Sequence, residues 1–154
     1  MVPERIHHAS QRRLVGLCQR YTHRTRHQIP VQWSKWEHDA VTDITEDLVF
    51  GVCMNFAPPD HFDYMCALPV GPKAPVPLGQ TDVVLPEGDF AVYVLNGHVS
   101  GIAAVFDAVM CGPDIPIEGW RLAHGPQLEV YGPDFDGLSG TGRIEIWFPV
   151  KRTD

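Results

Sequence analysis

At 154 residues the chain is about one domain long, enough to bury a core without disulfides or metals. No stretch approaches the ~18 consecutive apolar residues of a membrane span, so no membrane partner is expected. MVPERIHHASQRR at the N-terminus lacks the apolar h-region of an export signal, which predicts a cytoplasmic location. The net charge of −7 is unevenly spread. Residues 1–36 hold seven Lys/Arg against the single Glu4, and residues 37–154 hold five against eighteen acids. The basic head shows no helix-turn-helix pattern, so direct DNA binding is not expected, and the acidic remainder attracts organic cations.

Cys18, Cys53, Cys66 and Cys111 form no CxxC pair and read as small hydrophobes in a reducing cytosol. The eight histidines are scattered, with only His7-His8 adjacent. Neither a metal nor a cofactor is predicted.

Residues 1–11 read as a frayed or edge-lying arm. Arg12–Tyr21 (RRLVGLCQRY) alternates as a first strand, with Leu14, Gly16 and Cys18 opposite Val15 and Leu17. Ile29-Pro30 opens a helix whose buried stripe is Ile29, Trp33, Trp36 and Ala40. Leu48–Phe56 and His61–Val70 are strands around a Pro58-Pro59-Asp60 turn. Residues 71–81 carry three prolines and form a surface connection. Asp82–Pro86 and Asp89–Leu95 are strands, the second broken by Asn96-Gly97. Ser100 is the expected N-cap of a helix with Ile102, Val105, Phe106 and Val109 inward. Asp114–Gly125, with Trp120, is irregular. Gln127–Tyr131 and the final RIEIWFPV are strands around a Gly/Asp-rich hairpin loop, residues 132–142.

Both halves therefore run strand, helix, strand, strand, as a tandem duplication would. The prediction is a single α+β domain over 1–154, with pseudo-repeats at about 12–70 and 82–151. Duplicated β-α-β-β units would form one curved antiparallel sheet, with both helices on its convex face and a central ligand groove.

In Arg143–Lys151 a period of two puts Ile144, Ile146 and Phe148 on one face and Arg143, Glu145 and Trp147 on the other. A glutamate beside an indole suits a flat cation, which gains Coulomb attraction and the ring quadrupole. Glu129 is the rival acid, on the same face of its strand as Tyr131.

Ile29-Pro-(x)2-Trp33, Phe50-Gly-Val52, Asp63-Tyr64, LPEGDFAVY over Leu85–Tyr93, Gly97, Leu128–Tyr131 and Glu145–Val150 occur in an order that resembles the GyrI-like superfamily. That group includes AraC-type effector-binding domains and stand-alone integron-cassette drug-binding proteins. The similarity runs from about Arg12 to Lys151. It implies a groove that takes lipophilic cations through aromatics and an acid on the last strand, where Glu145 stands. Trp147 and Tyr131 are the next implied contacts, followed by Tyr93, Tyr64, Trp33, Trp36 and Trp120. Some relatives are hydrolases of reactive cyclopropyl compounds, which would make Glu145 a general base, and others inhibit DNA gyrase. Cys66-Ala67 departs from the small residue and glycine common in relatives. Three readings follow in rank: capture of amphipathic, cationic aromatic compounds, for sensing or sequestration; hydrolysis of cyclopropyl-type natural products; and a protein-interaction module for gyrase or a separate regulator.

Overall fold

A computed structural model describes residues 1–112 and 114–153. In chain order its elements are β1 (Arg5–Ala9), β2 (Arg12–Tyr21), α1 (Ile29–Lys35), β3 (Val49–Ala57), β4 (His61–Val70), β5 (Thr81–Leu85), β6 (Gly88–His98), α2 (Ile102–Met110), β7 (Trp120–Leu122), β8 (Gln127–Tyr131) and β9 (Thr141–Arg152). This is the α+β order expected, with antiparallel pairing throughout each unit. The two compact units are residues 11–86 and residues 1–10 with 87–154. Among the described residues no helix is long and apolar enough to cross a membrane.

In the N-terminal unit, strands pair in the order β5-β2-β4-β3. The helix that sequence extends to Ala40 stops at Lys35. Trp36 takes extended backbone (φ −73°, ψ 121°), and residues 38–40 form a separate 3-10 turn. Two helical turns can aim only one residue squarely inward, and that residue is Gln32 rather than an indole. Its Oε1 accepts from the Tyr21 hydroxyl at 2.7 Å, and its Nε2 donates to the carbonyls of Leu17 (2.8 Å) and Tyr64 (2.9 Å). A buried amide is tolerated because every polar atom it brings inside finds a partner.

In the C-terminal unit the order is β1-β6-β9-β8, with β7 also on β9. Residues 5–9, predicted as an arm, pair with β6 from Arg5↔Val92 to Ala9↔Gly88. Asn96-Gly97 does not break β6, because Gly97 pairs with Gly142 and the strand runs on to His98. Ser100 is not the cap. The His98 side chain accepts from the Ser100 N–H at 3.0 Å, a 3-10 turn covers Val99–Gly101, and α2 begins at Ile102. Part of the segment read as irregular forms the three-residue β7. Val105 and Val109 of α2 are buried, and the Phe106 ring meets Phe148 edge-on at 5.2 Å.

The repeat is β2-α1-β3-β4 against β6-α2-β8-β9. The outermost strand of each unit comes from the segment leading into the other repeat: β5 lies on β2, and β1 on β6.

Candidate functional site

β9 sorts its side chains as its alternation predicts, but both faces are covered. Ile144, Ile146 and Phe148 are fully buried, and Trp147 on the other face is 4% exposed. The carboxylate of Glu145 is held by the protein's own groups. Arg5 Nη2 donates at 3.1 Å, Arg143 Nη2 at 3.1 Å and Trp147 Nε1 at 3.0 Å. Glu4 closes a four-charge cluster by accepting from Arg5 (2.7 Å) and Arg143 (3.0 Å). His7 and Phe90 pack on the Trp147 ring at 4.8 and 5.5 Å.

Burial alone would raise the pKa of Glu145, but hydrogen bonds from Arg5, Trp147 and Arg143 outweigh it and hold the group below the ordinary glutamate value of 4.5. A depressed folded pKa adds stability that is complete above 4.5 and is lost as pH falls through the folded value. Glu145→Gln is expected to cost about 1–2 kcal/mol, discounted for the partly exposed arginines. Denaturant titrations should show that gap at pH 7 and see it narrow progressively as the pH is lowered below 4.5. A gap unchanged by pH would refute the role of ionisation.

The register separates the two candidate acids. Glu129 lies opposite Ile146, and Tyr131 opposite Ile144, whereas Val130 is the residue opposite Glu145. Cross-strand partners share a face. Tyr131 and Glu129 therefore lie on the other side of the sheet from Glu145 and Trp147, and Tyr131 is not a wall of the Glu145 cluster. Tyr93 also pairs with Ile146, so Tyr93, Glu129 and Tyr131 occupy one face with Phe148. That face is the one under α2, as the Phe106–Phe148 contact and the hydrogen bond from Gln127 Nε2 to Met110 Sδ (3.3 Å) show.

Here an acid lies among rings. Glu129 is 7% exposed, and its Oε1 accepts from the Tyr131 hydroxyl at 2.8 Å. Tyr93 is 2% exposed and meets Phe148 at 5.6 Å with the planes perpendicular. Burial, with the charge of Asp114 second, pushes the Tyr93 phenol pKa up, so Tyr93 stays a neutral O–H group. Asp114 is itself pinned by the backbone N–H groups of Ile115 and Leu122, both at 2.9 Å.

Aligning the repeats on Pro69-Val70 and Pro149-Val150 sharpens the contrast. Leu17, Cys66 and Gly51 of the N-terminal unit then stand where Tyr93, Ile146 and Glu129 stand, and Cys53 answers to Tyr131. Only one repeat carries the buried acid and its tyrosines.

The other expected aromatics lie elsewhere. In the N-terminal unit, Trp33 donates from Nε1 to the Tyr64 hydroxyl at 3.1 Å and meets Trp36 edge-on at 5.7 Å, while Trp36 donates to Gln80 Oε1 at 3.1 Å. Trp120, on β7, has the Arg152 guanidinium over its ring at 4.6 Å. Sequence reasoning missed Arg5 and Arg143 as partners of Glu145. The first sat in a supposed arm, and the second was read only as a face partner. Only pairing across strands would have found them.

The chain belongs to the GyrI-like family: the model of the GyrI-like small molecule binding domain matches residues 4–151. Solved structures share its fold at low identity. A putative bacterial transcription regulation protein from Staphylococcus aureus MU50 aligns with TM-score 0.68 and 17% identity, covering 98% of this chain and 99% of that one. An integron cassette protein from the mobile metagenome of Vibrio cholerae gives 0.66 and 16%, covering 96% and 95%. SAV2435, solved bound to tetraphenylphosphonium, gives 0.60 and 17%, covering 96% and 93%. A search of curated proteins finds no match.

Proposed function

We propose that this small-molecule binding domain captures amphipathic, cationic aromatic compounds, with Glu129 as the anionic anchor and Tyr131, Tyr93 and Phe148 as walls. The observation that carries the reading is a carboxylate 7% exposed on a face of aromatic rings. A buried carboxylate is stabilised by a cation, and each ring a cation stacks on adds about 0.5–2 kcal/mol. Glu145 suits this role less well, because Arg5 and Arg143 already neutralise it and a ligand cation would have to displace them. SAV2435, of like fold, is solved with a lipophilic cation of this class. The test is titration of the chain with tetraphenylphosphonium and with a neutral compound of similar shape. Binding of the cation alone, or much more tightly, supports the reading. Equal affinities, or none, overturn it.

A further inference from the structure

Phe135 lies outside every role assigned so far. Its ring packs on Tyr131 at 4.8 Å with planes tilted by 59°, and Tyr131 in turn donates to Glu129. Phe135 is thus the outermost member of a line running ring, phenol, carboxylate, and it is half-buried where the inner two are buried.

The loop that carries it, residues 132–140, is built on Asp136. One carboxylate oxygen accepts from the Leu138 N–H (2.9 Å) and the other from the Ser139 hydroxyl (3.0 Å). The Asp136 N–H reaches Thr141 O (2.9 Å), and the Gly140 N–H returns to Asp136 O (2.9 Å). Phe135 N–H closes the turn onto Gly132 O at 3.1 Å. Behind the loop, Gly142 leaves room: a Cβ there would lie 3.0 Å from Phe135 Cα. The Gly140 carbonyl also accepts from Val99 N–H at 2.9 Å, in the turn that starts α2. The loop backbone is therefore fixed to the helix that covers the same face, while the Phe135 ring is free of hydrogen bonds and half open to solvent.

We infer that Phe135 is a specificity-determining wall of the Glu129 site, favouring planar cations that stack on its ring over bulky, non-planar ones. The inference rests on the function proposed above. Planar ligands gain an aromatic contact against Phe135, whereas a tetrahedral array of rings meets it as an obstacle.

The experiment compares ethidium, a planar cation, with tetraphenylphosphonium on the wild-type chain, Phe135→Ala, Phe135→Trp and Glu129→Gln. Phe135→Ala is expected to shift the ratio of the two affinities by about tenfold toward tetraphenylphosphonium, the loss of one ring contact, and Phe135→Trp to shift it back toward ethidium. Glu129→Gln should weaken both cations together and leave the ratio alone. Unaltered thermal melts show that the Phe135 variants are folded, and Phe135→Leu replaces any that is not. A ratio unchanged by these variants, with both cations still bound and weakened by Glu129→Gln, overturns the role of Phe135 and leaves the proposed function standing. Failure of the wild-type chain to bind either cation overturns both.

Discussion

Replacing Glu129 with glutamine is expected to lower affinity for tetraphenylphosphonium by about tenfold to a hundredfold and to leave a neutral ligand of similar shape within about twofold. The change is nearly isosteric. The amide oxygen can still accept from the Tyr131 hydroxyl, the bond seen at 2.8 Å, and a thermal melt checks that the variant is folded. Only the charge is removed, in a place where little water screens it, and interactions with a charged group there amount to about 1.5–3 kcal/mol. Isothermal titration on the two proteins reads the difference directly. Glu145→Gln is the informative partner experiment. With Arg5 and Arg143 around it, that change should appear in stability and its pH dependence and barely in ligand affinity. Large loss of cation binding in Glu145→Gln, with Glu129→Gln like wild type, would return the anchor to β9.

The two acids also show how far alternation carries a sequence reading. Period two places Glu145 with Trp147 and Glu129 with Tyr131, and both pairs are correct within their own strands. It says nothing about which residue of one strand lies beside which residue of the next. A register differing by one would have put Tyr131 beside Glu145. The observed register puts it beside Ile144. The order of elements, the antiparallel α+β class and the repeat were legible because Arg12–Tyr21, His61–Val70 and Gln127–Tyr131 are strongly patterned and bounded by turns. The partners of Glu145 were not. Arg5 is 140 positions away in sequence, and nothing local in RIHHA announces the strand it forms on β6. α1 misled for another reason. Of the expected stripe Trp36 is buried, but it lies just past the helix end, and the residue that α1 itself turns inward is Gln32, whose amide meets two carbonyls and one hydroxyl, partners that a hydropathy pattern does not show.

Gly16→Ala is expected to be the most damaging small substitution in the N-terminal unit, costing about 3 kcal/mol or more. Gly16 lies mid-strand in β2, a place where glycine ordinarily weakens a sheet, and its sequence context reads as simple alternation between Leu14 and Cys18. The geometry gives the reason for it. A Cβ at this position would collide with the Cys66 carbonyl oxygen and lie 2.7 Å from Ala67 Cα. Both are backbone atoms of β4, so no side chain can turn aside to make room, and the two strands must separate. Separation strains the ladder from Arg13↔Val70 to Tyr21↔Phe62 and the pairing of Gly16 with Thr81 on β5. It also disturbs Leu17 and Tyr64, whose carbonyls hold the Gln32 amide. With ~2–4 °C of melting temperature per kcal/mol in a chain of this size, the loss should be about 10 °C or more. Gly88→Ala is the control, since a Cβ there meets nothing within 4 Å and φ is ordinary. A melt of Gly16→Ala within about 2 °C of wild type would mean that β2 can leave β4 at little cost. Because the acid and tyrosines of the candidate site lie in the other unit, the damage should reach ligand binding only through the folded fraction: at low temperature, the protein that remains native should titrate tetraphenylphosphonium with unaltered affinity.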